Sequence, residues 1–578
     1  MISSEGAQDF PLARHFAELL GRLGATADLQ DLAAILMART AAGHGCLPLE
    51  AAQLAPEAQA SLSRSPVLGA PGDFRPLILD GHRLYLYRFW EYETRLAAAL
   101  LKRAADLPDV DEERLRAGLL RHFPLPAGDR EEGLGDQRLA AAVAVLRRLA
   151  VISGGPGTGK TSTVLRILAL LLEQDPQRPP RIALAAPTGK AATRLADALR
   201  AGRHHLDLPP PLAAAIPDEA QTLHRLLAYH PERGFAHDAD HPLPVDVVVV
   251  DEASMVGLAL MEALLRALPA HARLILLGDR DQLASVEAGA VLAEICATPA
   301  GPRPDFAARL STLTGLPVSG AGESPLADCM VHLRHSYRFA AGGSIGRLAR
   351  ALQQGAAEAA LDILEAAAIW QPLPAEQGLA SALLEVARTG WKEYFRALQR
   401  EAEPARIHAA WERFRLLSAL RQGPWGAEVL NAVLDARLAR APRRRAHYHG
   451  RPVIIRQNDS ALGLFNGDVG LTLARQGRLQ VFFPGREGFR SFAPERLPAH
   501  ESAWVMTVHQ SQGSEFDDIL LLLPDADNPV LSRELLYTAV TRARQGVRVW
   551  GAEAALEGAL ARRMARDSGL EARLWGRS

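Results

Sequence analysis

The feature that most constrains this chain is a glycine-rich segment, Gly154-Gly155-Pro156-Gly157-Thr158-Gly159-Lys160-Thr161. It fits the pattern G-x-x-x-x-G-K-[ST], in which backbone N–H groups surround phosphates, the lysine reaches the β- and γ-phosphate oxygens and the hydroxyl contacts Mg²⁺. The apolar run 149–153 precedes the segment and a helical pattern follows it, which is the strand–loop–helix context that the pattern requires. The predicted nucleotide-binding residues are Gly154, Gly155, Pro156, Gly157, Thr158, Gly159, Lys160, Thr161 and Ser162.

Lysine usage supports this interpretation. The chain has four lysines, Lys102, Lys160, Lys190 and Lys392, among 65 basic residues. A lysine at position 160 is therefore not a product of composition. The alternative is a glycine-rich turn that only joins a strand to a helix, and an acidic motif downstream argues against it.

That acidic motif, Asp251-Glu252, follows four consecutive valines. One carboxylate can hold Mg²⁺ together with Thr161, while the next can polarise the attacking water, and these are the two tasks that hydrolysis adds to phosphate binding. An acidic pair after a strand is weak by itself, but behind a complete phosphate-binding loop it predicts hydrolysis of a nucleoside triphosphate. The cofactors expected are ATP and Mg²⁺.

Three further polar residues are predicted to complete the site. Gln282 follows the next predicted strand, where an amide can report whether the γ-phosphate is present. Arg338 and Arg542 lie in the second half of the chain and can stabilise transition-state charge across an interface, an effect worth about 10³- to 10⁵-fold in rate. Either arginine alone is also compatible with a surface position in a chain this rich in arginine.

The strand and helix pattern predicts the α/β class with parallel sheets. Apolar strands alternate with helices up to about residue 330, and a linker rich in Gly, Pro and Ser at about 299–326 leads to a second α/β region. Within that region, short strands joined by Asn/Gly turns predict a small β-barrel insert. The predicted domains are a helical assembly domain (1–120), a first lobe (121–330) with a hairpin insert (228–244), a second lobe (331–445 and 501–578) and the barrel (446–500).

Composition predicts an intracellular protein. The three cysteines, Cys46, Cys296 and Cys329, form no C-x-x-C pair, which fits a reducing cytoplasm. The N-terminus Met1 to Gly6 has no basic and apolar export pattern, and no apolar stretch is long enough to span a membrane. With a net charge of −1, any binding of nucleic acid must use a local groove.

The order of the motifs resembles that of superfamily 1B DNA helicases, and most closely that of the RecD family, the α subunits of the RecBCD exodeoxyribonuclease V. The resemblance covers about residues 130–560. It rests on the phosphate-binding loop, Ala186-Pro187-Thr188-Gly189-Lys190-Ala191-Ala192, Thr222-Leu223-His224-Arg225-Leu226-Leu227, Asp251-Glu252, Gly278-Asp279-x-x-Gln282-Leu283, Tyr337-Arg338-Phe339, Thr507-Val508-His509-Gln510-Ser511-Gln512-Gly513-Ser514-Glu515-Phe516, and Tyr537 to Arg544.

This resemblance implies two RecA-like P-loop NTPase lobes that close on ATP and step 5′ to 3′ along single-stranded DNA at a duplex end. It makes the 228–244 insert a strand-separating pin and the 446–500 insert an SH3-like domain. It also implies RecB-like and RecC-like partner subunits, repair of double-strand breaks by homologous recombination, and nuclease activity only through those partners. It assigns adenine recognition to Gln137 and DNA contacts to Pro187, Thr188, Lys190, Thr222, His224, Thr507, His509 and Ser514.

Two alternatives remain open at this point. The chain is compatible with a 5′ to 3′ helicase that works alone, and with a structural or regulatory ATPase subunit that does not itself unwind DNA. One position also departs from the family pattern, since residue 510 is Gln where the family usually has Lys. That departure leaves the role of Gln510 unassigned.

Overall fold

The computed structural model describes most of the chain, with short gaps. The described residues are 10–52, 62, 65–124, 131–204, 206, 208–298, 301–339, 342–374, 376–438, 446–459, 461–485 and 488–576. The N-terminal segment Met1 to Gly6 and the linker residues 299–300 lie outside them. Among the described helices, none has the length and apolarity needed to cross a bilayer.

The N-terminal region combines helices with a small mixed sheet. The sheet order is β1-β4-β3-β2, and β3 and β4 form an antiparallel hairpin. Its elements are α1 (Pro11–Arg22), α2 (Ala27–Ala41), β1 (Leu47–Pro48), β2 (Leu68–Gly69), β3 (Leu77–Asp80), β4 (Arg83–Leu86), α3 (Tyr87–Ala105) and α4 (Glu112–His122). Helix α4 crosses the predicted boundary at residue 120, and its Leu115 and Leu119 belong to the core of the first lobe.

The first lobe is built on a parallel sheet with the strand order β12-β5-β11-β10-β6-β7. Its elements are α5 (Glu131–Leu146), β5 (Leu149–Gly154), α6 (Lys160–Gln174), β6 (Ile182–Ala186), α7 (Gly189–Arg203), α8 (Pro210–Ala214), β7 (Gln221–Thr222), α9 (Leu223–Leu226), β8 (Tyr229–His230), β9 (Gly234–Phe235), β10 (Val247–Val250), α10 (Leu258–Ala267), β11 (Arg273–Gly278), α11 (Val291–Ile295), α12 (Pro304–Thr314) and β12 (Met330–Leu333).

The valine run of β10 is typical of a strand that lies inside a parallel sheet and is buried on both faces. Val247 and Val249 pack into the core on one face, whereas Val248 and Val250 pack into the core on the other. A strand covered on both faces needs apolar residues at every position, unlike a strand that alternates between core and water. Strand β12 extends this sheet beyond the predicted boundary at residue 330, because it pairs in parallel with β5.

The second lobe contains another parallel sheet, with the order β13-β22-β21-β14-β20. Its elements, together with those of the insert and the C-terminal segment, are α13 (Ser344–Gln354), α14 (Ala357–Ala366), β13 (Trp370–Gln371), α15 (Glu376–Gly390), α16 (Lys392–Gln399), α17 (Pro404–Glu412), β14 (Phe414–Ser418), α18 (Ala427–Leu438), β15 (Arg451–Ile455), β16 (Val469–Arg475), β17 (Arg478–Gly485), β18 (Gly488–Phe492), β19 (His500–Ser502), β20 (Val505–Thr507), β21 (Phe516–Leu522), α19 (Arg533–Val540), β22 (Ala543–Trp550), α20 (Glu553–Ala561) and α21 (Leu570–Trp575). The predicted α/β class with parallel sheets is confirmed.

The insert in the second lobe is an antiparallel sheet with the order β18-β17-β16-β15-β19. Its own small core contains Val453, Ile455, Leu464, Val481 and Phe483. Strand β19 pairs with β15, so the sheet runs two residues past the predicted end of the insert at residue 500.

The C-terminal segment leaves the second lobe and returns to the N-terminal half of the chain. Met564 still donates its backbone N–H to Glu534 of the second lobe, 2.8 Å away. From Arg566 onward the chain contacts the N-terminal region and the first lobe instead. The Arg566 guanidinium donates to the carbonyls of Glu287 and Gly289. Helix α21 buries Leu570 and Leu574 in the core that the N-terminal region and the first lobe share. We call residues 565–576 the C-terminal strap.

Two buried carboxyl groups, those of Glu93 and Glu294, bind the strap through Ser568. The Ser568 Oγ lies 2.8 Å from Glu93 Oε1 of α3 and 3.1 Å from Glu294 Oε2 of α11. Burial, with a smaller contribution from the charge of Glu93, raises the pKa of Glu294 to about 8. One hydroxyl proton cannot serve two carboxylates, so a protonated Glu294 completes this set of hydrogen bonds.

We expect Glu294→Gln to flatten the pH dependence of stability. Because the pKa of Glu294 is higher in the folded than in the unfolded chain, the folded state binds more protons between about pH 4.5 and 8, and stability falls as the pH rises through that window. The melting temperature of the wild-type protein should therefore drop more between about pH 6 and pH 8 than that of the glutamine variant. Parallel melting curves for the two proteins would contradict this assignment.

Candidate functional site

The glycine-rich loop forms the predicted phosphate-binding turn between β5 and α6. Gly157 and Gly159 have φ angles of 79° and 81°, a left-handed conformation that glycine adopts without strain. The Lys160 ammonium donates to the carbonyls of Gly154 and Gly155, at 2.6 and 3.1 Å. The lysine is thus held over the loop, next to backbone N–H groups at the start of a helix, which is an anion-binding arrangement.

Side chains in and beside this loop donate hydrogen bonds to its backbone carbonyls. Gln137 is buried, and its Nε2 donates to the Thr158 carbonyl at 3.1 Å. Thr158 Oγ1 donates to the Gly155 carbonyl at 2.9 Å. Thr161 is half-buried in the first turn of α6, and Ser162 beside it is exposed, with its Oγ donating to Gly159 at 2.8 Å. Gln137 thus lies beside the loop, and the adenine contact that the family resemblance implies for it stays a prediction.

Asp251 and Glu252 emerge from the carboxyl end of β10. Burial and the adjacent Glu252 raise the pKa of Asp251 to about 6, and the charge of Lys160 opposes this rise. Asp251 Oδ1 accepts the Glu252 N–H at 2.9 Å. Glu252 has a φ of 52°, a left-handed conformation that costs a residue with a side chain about 1–3 kcal/mol and that is concentrated at functional sites.

The donors near Lys160 fit a nucleotide with its magnesium ion. Asp251 supplies a carboxylate and Thr161 a hydroxyl, both oxygen ligands of the kind that Mg²⁺ prefers. A cation beside Asp251 would favour its charged form, countering the burial that raises its pKa. The donor set of this site is therefore suited to the predicted metal.

Gln282 belongs to a hydrogen-bonded network that crosses from the first lobe to the second. Its Nε2 donates to Asp279 Oδ2 at 2.9 Å, and the same oxygen accepts the Tyr537 hydroxyl at 2.9 Å. Gln353 Nε2 donates to the Tyr537 hydroxyl oxygen at 3.1 Å and to Asp281 at 3.0 Å. The network is adjacent to the phosphate-binding loop, since a Cβ placed on Gly155 would lie 2.9 Å from the Tyr537 hydroxyl.

Arg338 is packed directly against the phosphate-binding loop. A Cβ placed on Gly157 would lie 2.3 Å from the Cβ of Arg338, and the Tyr337 N–H donates to the Gly157 carbonyl at 2.9 Å. The guanidinium forms an ion pair with Glu515 of the second lobe. Among the described residues, its Nη1 is buried without a hydrogen-bond partner. The structure thus brings Arg338 and the loop together.

Arg542 lies in the second lobe and is 4% exposed. Its Nε donates to the Thr538 carbonyl at 3.0 Å and its Nη1 to the Ser514 carbonyl at 3.2 Å. Thr538 Oγ1 in turn accepts the N–H of Leu283, directly after Gln282, at 2.9 Å. Arg542 is therefore linked to the first lobe through one residue, Thr538.

The predicted DNA contacts of the first lobe share one edge of its sheet. Thr222 pairs with Ala186 in the register of β6 and β7, so it adjoins the loop of Pro187 and Thr188. Thr188 and Thr222 each cap a helix, accepting N–H groups at 3.3 Å. His224 follows on α9 and is exposed. Lys190 lies among Arg194, Glu412, Arg415 and Asp468, and burial, followed by the charge of Arg194, lowers its pKa to about 8.

The predicted DNA contacts of the second lobe lie at the end of β20, where Thr507 is its last residue, and in the turn that follows. Gln510 closes this turn: its Oε1 accepts the Thr507 N–H at 2.9 Å, and its Nε2 donates to Glu501 at 3.1 Å. A lysine has no acceptor with which to receive the first of these bonds, which gives the family departure at residue 510 a structural role. His509 is half-buried, and burial lowers its pKa. Ser514 is fully buried and does not face solvent.

Arg194 joins the two groups of predicted DNA contacts and was missed in the sequence. Its guanidinium donates to the Gly513 carbonyl across the lobe interface. The signal was available, because residue 194 lies four positions after Lys190 on a helix and therefore on the same face. Glu515 was also missed; it pairs with both Arg338 and Arg544, but an acidic residue in a loop carries no pattern that predicts such a pairing.

Comparisons with known proteins agree with this geometry. A family model described as "AAA domain" matches residues 137–288, and one described as "UvrD-like helicase C-terminal domain" matches residues 502–550. The RecBCD enzyme subunit RecD of Mycobacterium tuberculosis is 40% identical over 530 residues, covering 89% of this chain and 84% of that protein. The chain belongs to the RecD family. The predicted family is confirmed, and the two matched segments lie in the two parallel-sheet lobes, which are RecA-like.

Two more distant similarities extend beyond RecD itself. The ATP-dependent RecD2 DNA helicase of Deinococcus radiodurans is 33% identical and covers 74% of this chain and 50% of its own length. The Pif1 helicase of Candida albicans aligns over 74% of this chain and 96% of its own, at 15% identity and a TM-score of 0.40. The second similarity is too low to support an argument.

Proposed function

We propose that this RecD-family chain is an ATP-driven DNA helicase that moves 5′ to 3′ along single-stranded DNA, as a motor subunit of a RecBCD-type helicase–nuclease in double-strand break repair. The observation that carries the proposal is the assembly of one site from both lobes. Lys160 and Asp251 come from the first lobe, while Glu515, which holds Arg338, and Tyr537, which contacts Asp279, come from the second. A site of this kind couples nucleotide hydrolysis to relative movement of the lobes.

Bound ATP with Mg²⁺ supplies the phosphoanhydride bond that is cleaved and a charge that neutralises its oxygens. With ATP bound, the Lys160 ammonium, which here donates to the loop carbonyls, would instead donate to β- and γ-phosphate oxygens. Glu252 orients the attacking water and takes its proton. Arg338 and Arg542 stabilise the charge that develops on the γ-phosphate, and Gln282 passes the state of that phosphate to Tyr537 through Asp279.

The domain assignment follows the same reasoning. We propose an N-terminal assembly domain, two RecA-like lobes, a strand-separating pin at 228–244 and an SH3-like insert at 446–500. The antiparallel order of the insert sheet and the hairpin pairing of Tyr229 with Phe235 support the last two. The insert adjoins the predicted DNA contacts, since Phe465 packs near Gly189, and the pin adjoins them through the ring contact of Tyr229 with His224.

The proposed partners are single-stranded DNA at a duplex end and RecB-like and RecC-like subunits, with nuclease activity supplied by those subunits. Helix α1 supports an assembly role for the N-terminal region. It exposes Leu12, Leu19 and Leu23 on one face, spaced as on a helix that packs against another surface. The three buried thiols, Cys46, Cys296 and Cys329, support a cytoplasmic location.

The test is ATP-driven unwinding of duplexes that carry either a 5′ or a 3′ single-stranded tail, by the purified chain and by its complex with the partner subunits. We expect unwinding of the 5′-tailed duplex only. Unwinding of the 3′-tailed duplex would contradict the proposed direction. If neither duplex is unwound and single-stranded DNA does not accelerate hydrolysis, the chain is a structural or regulatory ATPase instead.

A further inference from the structure

An exposed cluster of aromatic rings lies at the base of the hairpin formed by β8 and β9. The rings of His224 and Tyr229 are 5.4 Å apart at 83°, those of Tyr229 and Phe235 are 5.1 Å apart, and those of His224 and Phe235 are 6.1 Å apart. Tyr229 is 48% exposed, whereas Phe235 packs against the core of the first lobe. The cluster is therefore anchored on one side and open on the other.

The backbone holds Tyr229 in this position. Ala228, directly before it, has a φ of 51°, a strained conformation for a residue with a side chain. The base of the hairpin is closed by the Ala236 N–H, which donates to the Leu227 carbonyl at 3.2 Å. Among the described residues, the Tyr229 hydroxyl has no hydrogen-bond partner, so its ring is not placed there to satisfy a polar group inside the fold.

The tip of the hairpin has a different chemistry. Pro231, Glu232 and Arg233 are all exposed, and the Glu232 and Arg233 N–H groups both bond to His230. An unpaired base stacks on aromatic rings; Pro231, Glu232 and Arg233 offer none, whereas three rings meet at the base of the hairpin. The chemistry suited to an unpaired base is thus at the base of the hairpin rather than at its tip.

The cluster also adjoins the predicted DNA contacts. His224 lies two residues after Thr222, which pairs with Ala186 next to the loop of Pro187 and Thr188. Hydroxyl and backbone groups in that stretch suit phosphates, and the aromatic cluster adds a surface for a base. Tyr229, in ring contact with His224 and 48% exposed, therefore lies next to the edge of the sheet where the predicted DNA contacts are.

Resting on the proposed helicase function, we propose that Tyr229, supported by His224 and Phe235, is a stacking platform for one unpaired base of the bound strand. Stacking on an aromatic ring tolerates any base, as a translocating motor requires. The hairpin then acts by capturing the base released at the junction, in addition to any obstruction by its tip.

The test uses single-stranded oligonucleotides carrying 2-aminopurine at successive positions, because its fluorescence is quenched by stacking. With the wild-type chain and with Tyr229→Phe, we expect quenching at one position of the bound strand. With Tyr229→Leu, which keeps an apolar side chain but lacks a π-face, that quenching should be lost and binding of a short oligonucleotide should weaken about 5- to 150-fold.

Phe74→Leu is a matched control. Phe74 is likewise an exposed ring set edge-on against a neighbour, Tyr87, at 4.9 Å, but it lies in the N-terminal region. It should leave quenching and binding unchanged, and melting temperatures of all variants report on folding. If Tyr229→Leu quenches and binds like the wild type while the wild type unwinds DNA, the platform alone is rejected. If the wild-type chain does not bind single-stranded DNA, both the platform and the helicase function are rejected.

Discussion

Replacing Lys160 by glutamine is expected to abolish ATP hydrolysis, with a loss of at least about 10³-fold in kcat. The Lys160 ammonium is held over the phosphate-binding loop by the carbonyls of Gly154 and Gly155, where it can neutralise phosphate charge. Glutamine keeps a hydrogen-bonding side chain of similar length but removes the charge. The measurement is steady-state hydrolysis with saturating single-stranded DNA.

The matched control for this variant is Lys392→Gln. Lys392 is exposed on α16 in the second lobe, away from the glycine-rich loop. It should hydrolyse ATP at the wild-type rate, and both variants should melt near the wild-type temperature. A Lys160→Gln protein with near-normal hydrolysis would refute the assignment of the phosphate-binding loop.

The second large effect is expected for Arg338→Lys, with kcat lowered about 10³-fold and the affinity for ATP changed only a few-fold. Arg338 packs against Gly157 and is held by Glu515 of the second lobe, with its Nη1 buried and free of partners among the described residues. Lysine keeps the charge but presents it as a single ammonium without the rigid planar fork, so it cannot reproduce the directed contacts of two separate guanidinium N–H groups to Glu515 and a phosphate oxygen.

Separating kcat from nucleotide affinity distinguishes a transition-state role from a structural one. Arg347→Lys is the control, because Arg347 is an exposed arginine on α13 a short distance along the chain. Equal losses of ATP affinity and kcat in Arg338→Lys would show that the residue only shapes the site. A kcat within about threefold of the wild type would exclude the proposed role altogether.

The sequence predicted the parts of the site that follow a local pattern. The loop at 154–161 and the acidic pair after the valine strand could be predicted, because each depends on a short motif or on strand periodicity, whereas Gln137 was named only because the family resemblance implies it. The hairpin at Tyr229 was predicted from a turn between two short strands, and the structure contains it.

What could not be predicted depends on contacts between distant segments. The spacing of Arg194 from Lys190 places both on one helix face, but nothing local in Arg194 or Glu515 indicates that they meet Gly513 and Arg338 across an interface. Two segments pack away from their neighbours in the chain for the same reason: β12 lies after the Gly/Pro/Ser-rich linker yet pairs with β5, and the strap after residue 564 belongs spatially with the N-terminal half. Chain composition marks where a segment is irregular, but not which sheet the next segment will join.

The C-terminal strap means that the polypeptide passes between the two lobes twice, once after β12 and once after Met564. Two bodies joined at one point can rotate about any axis through it, whereas two separate attachments leave rotation about the line that connects them as the easy motion. The strap thereby restricts the relative motion of the two lobes to rotation about one axis. Each turnover of nucleotide is then expected to swing the lobes along one repeatable arc, which is the mechanical requirement for steps of constant size.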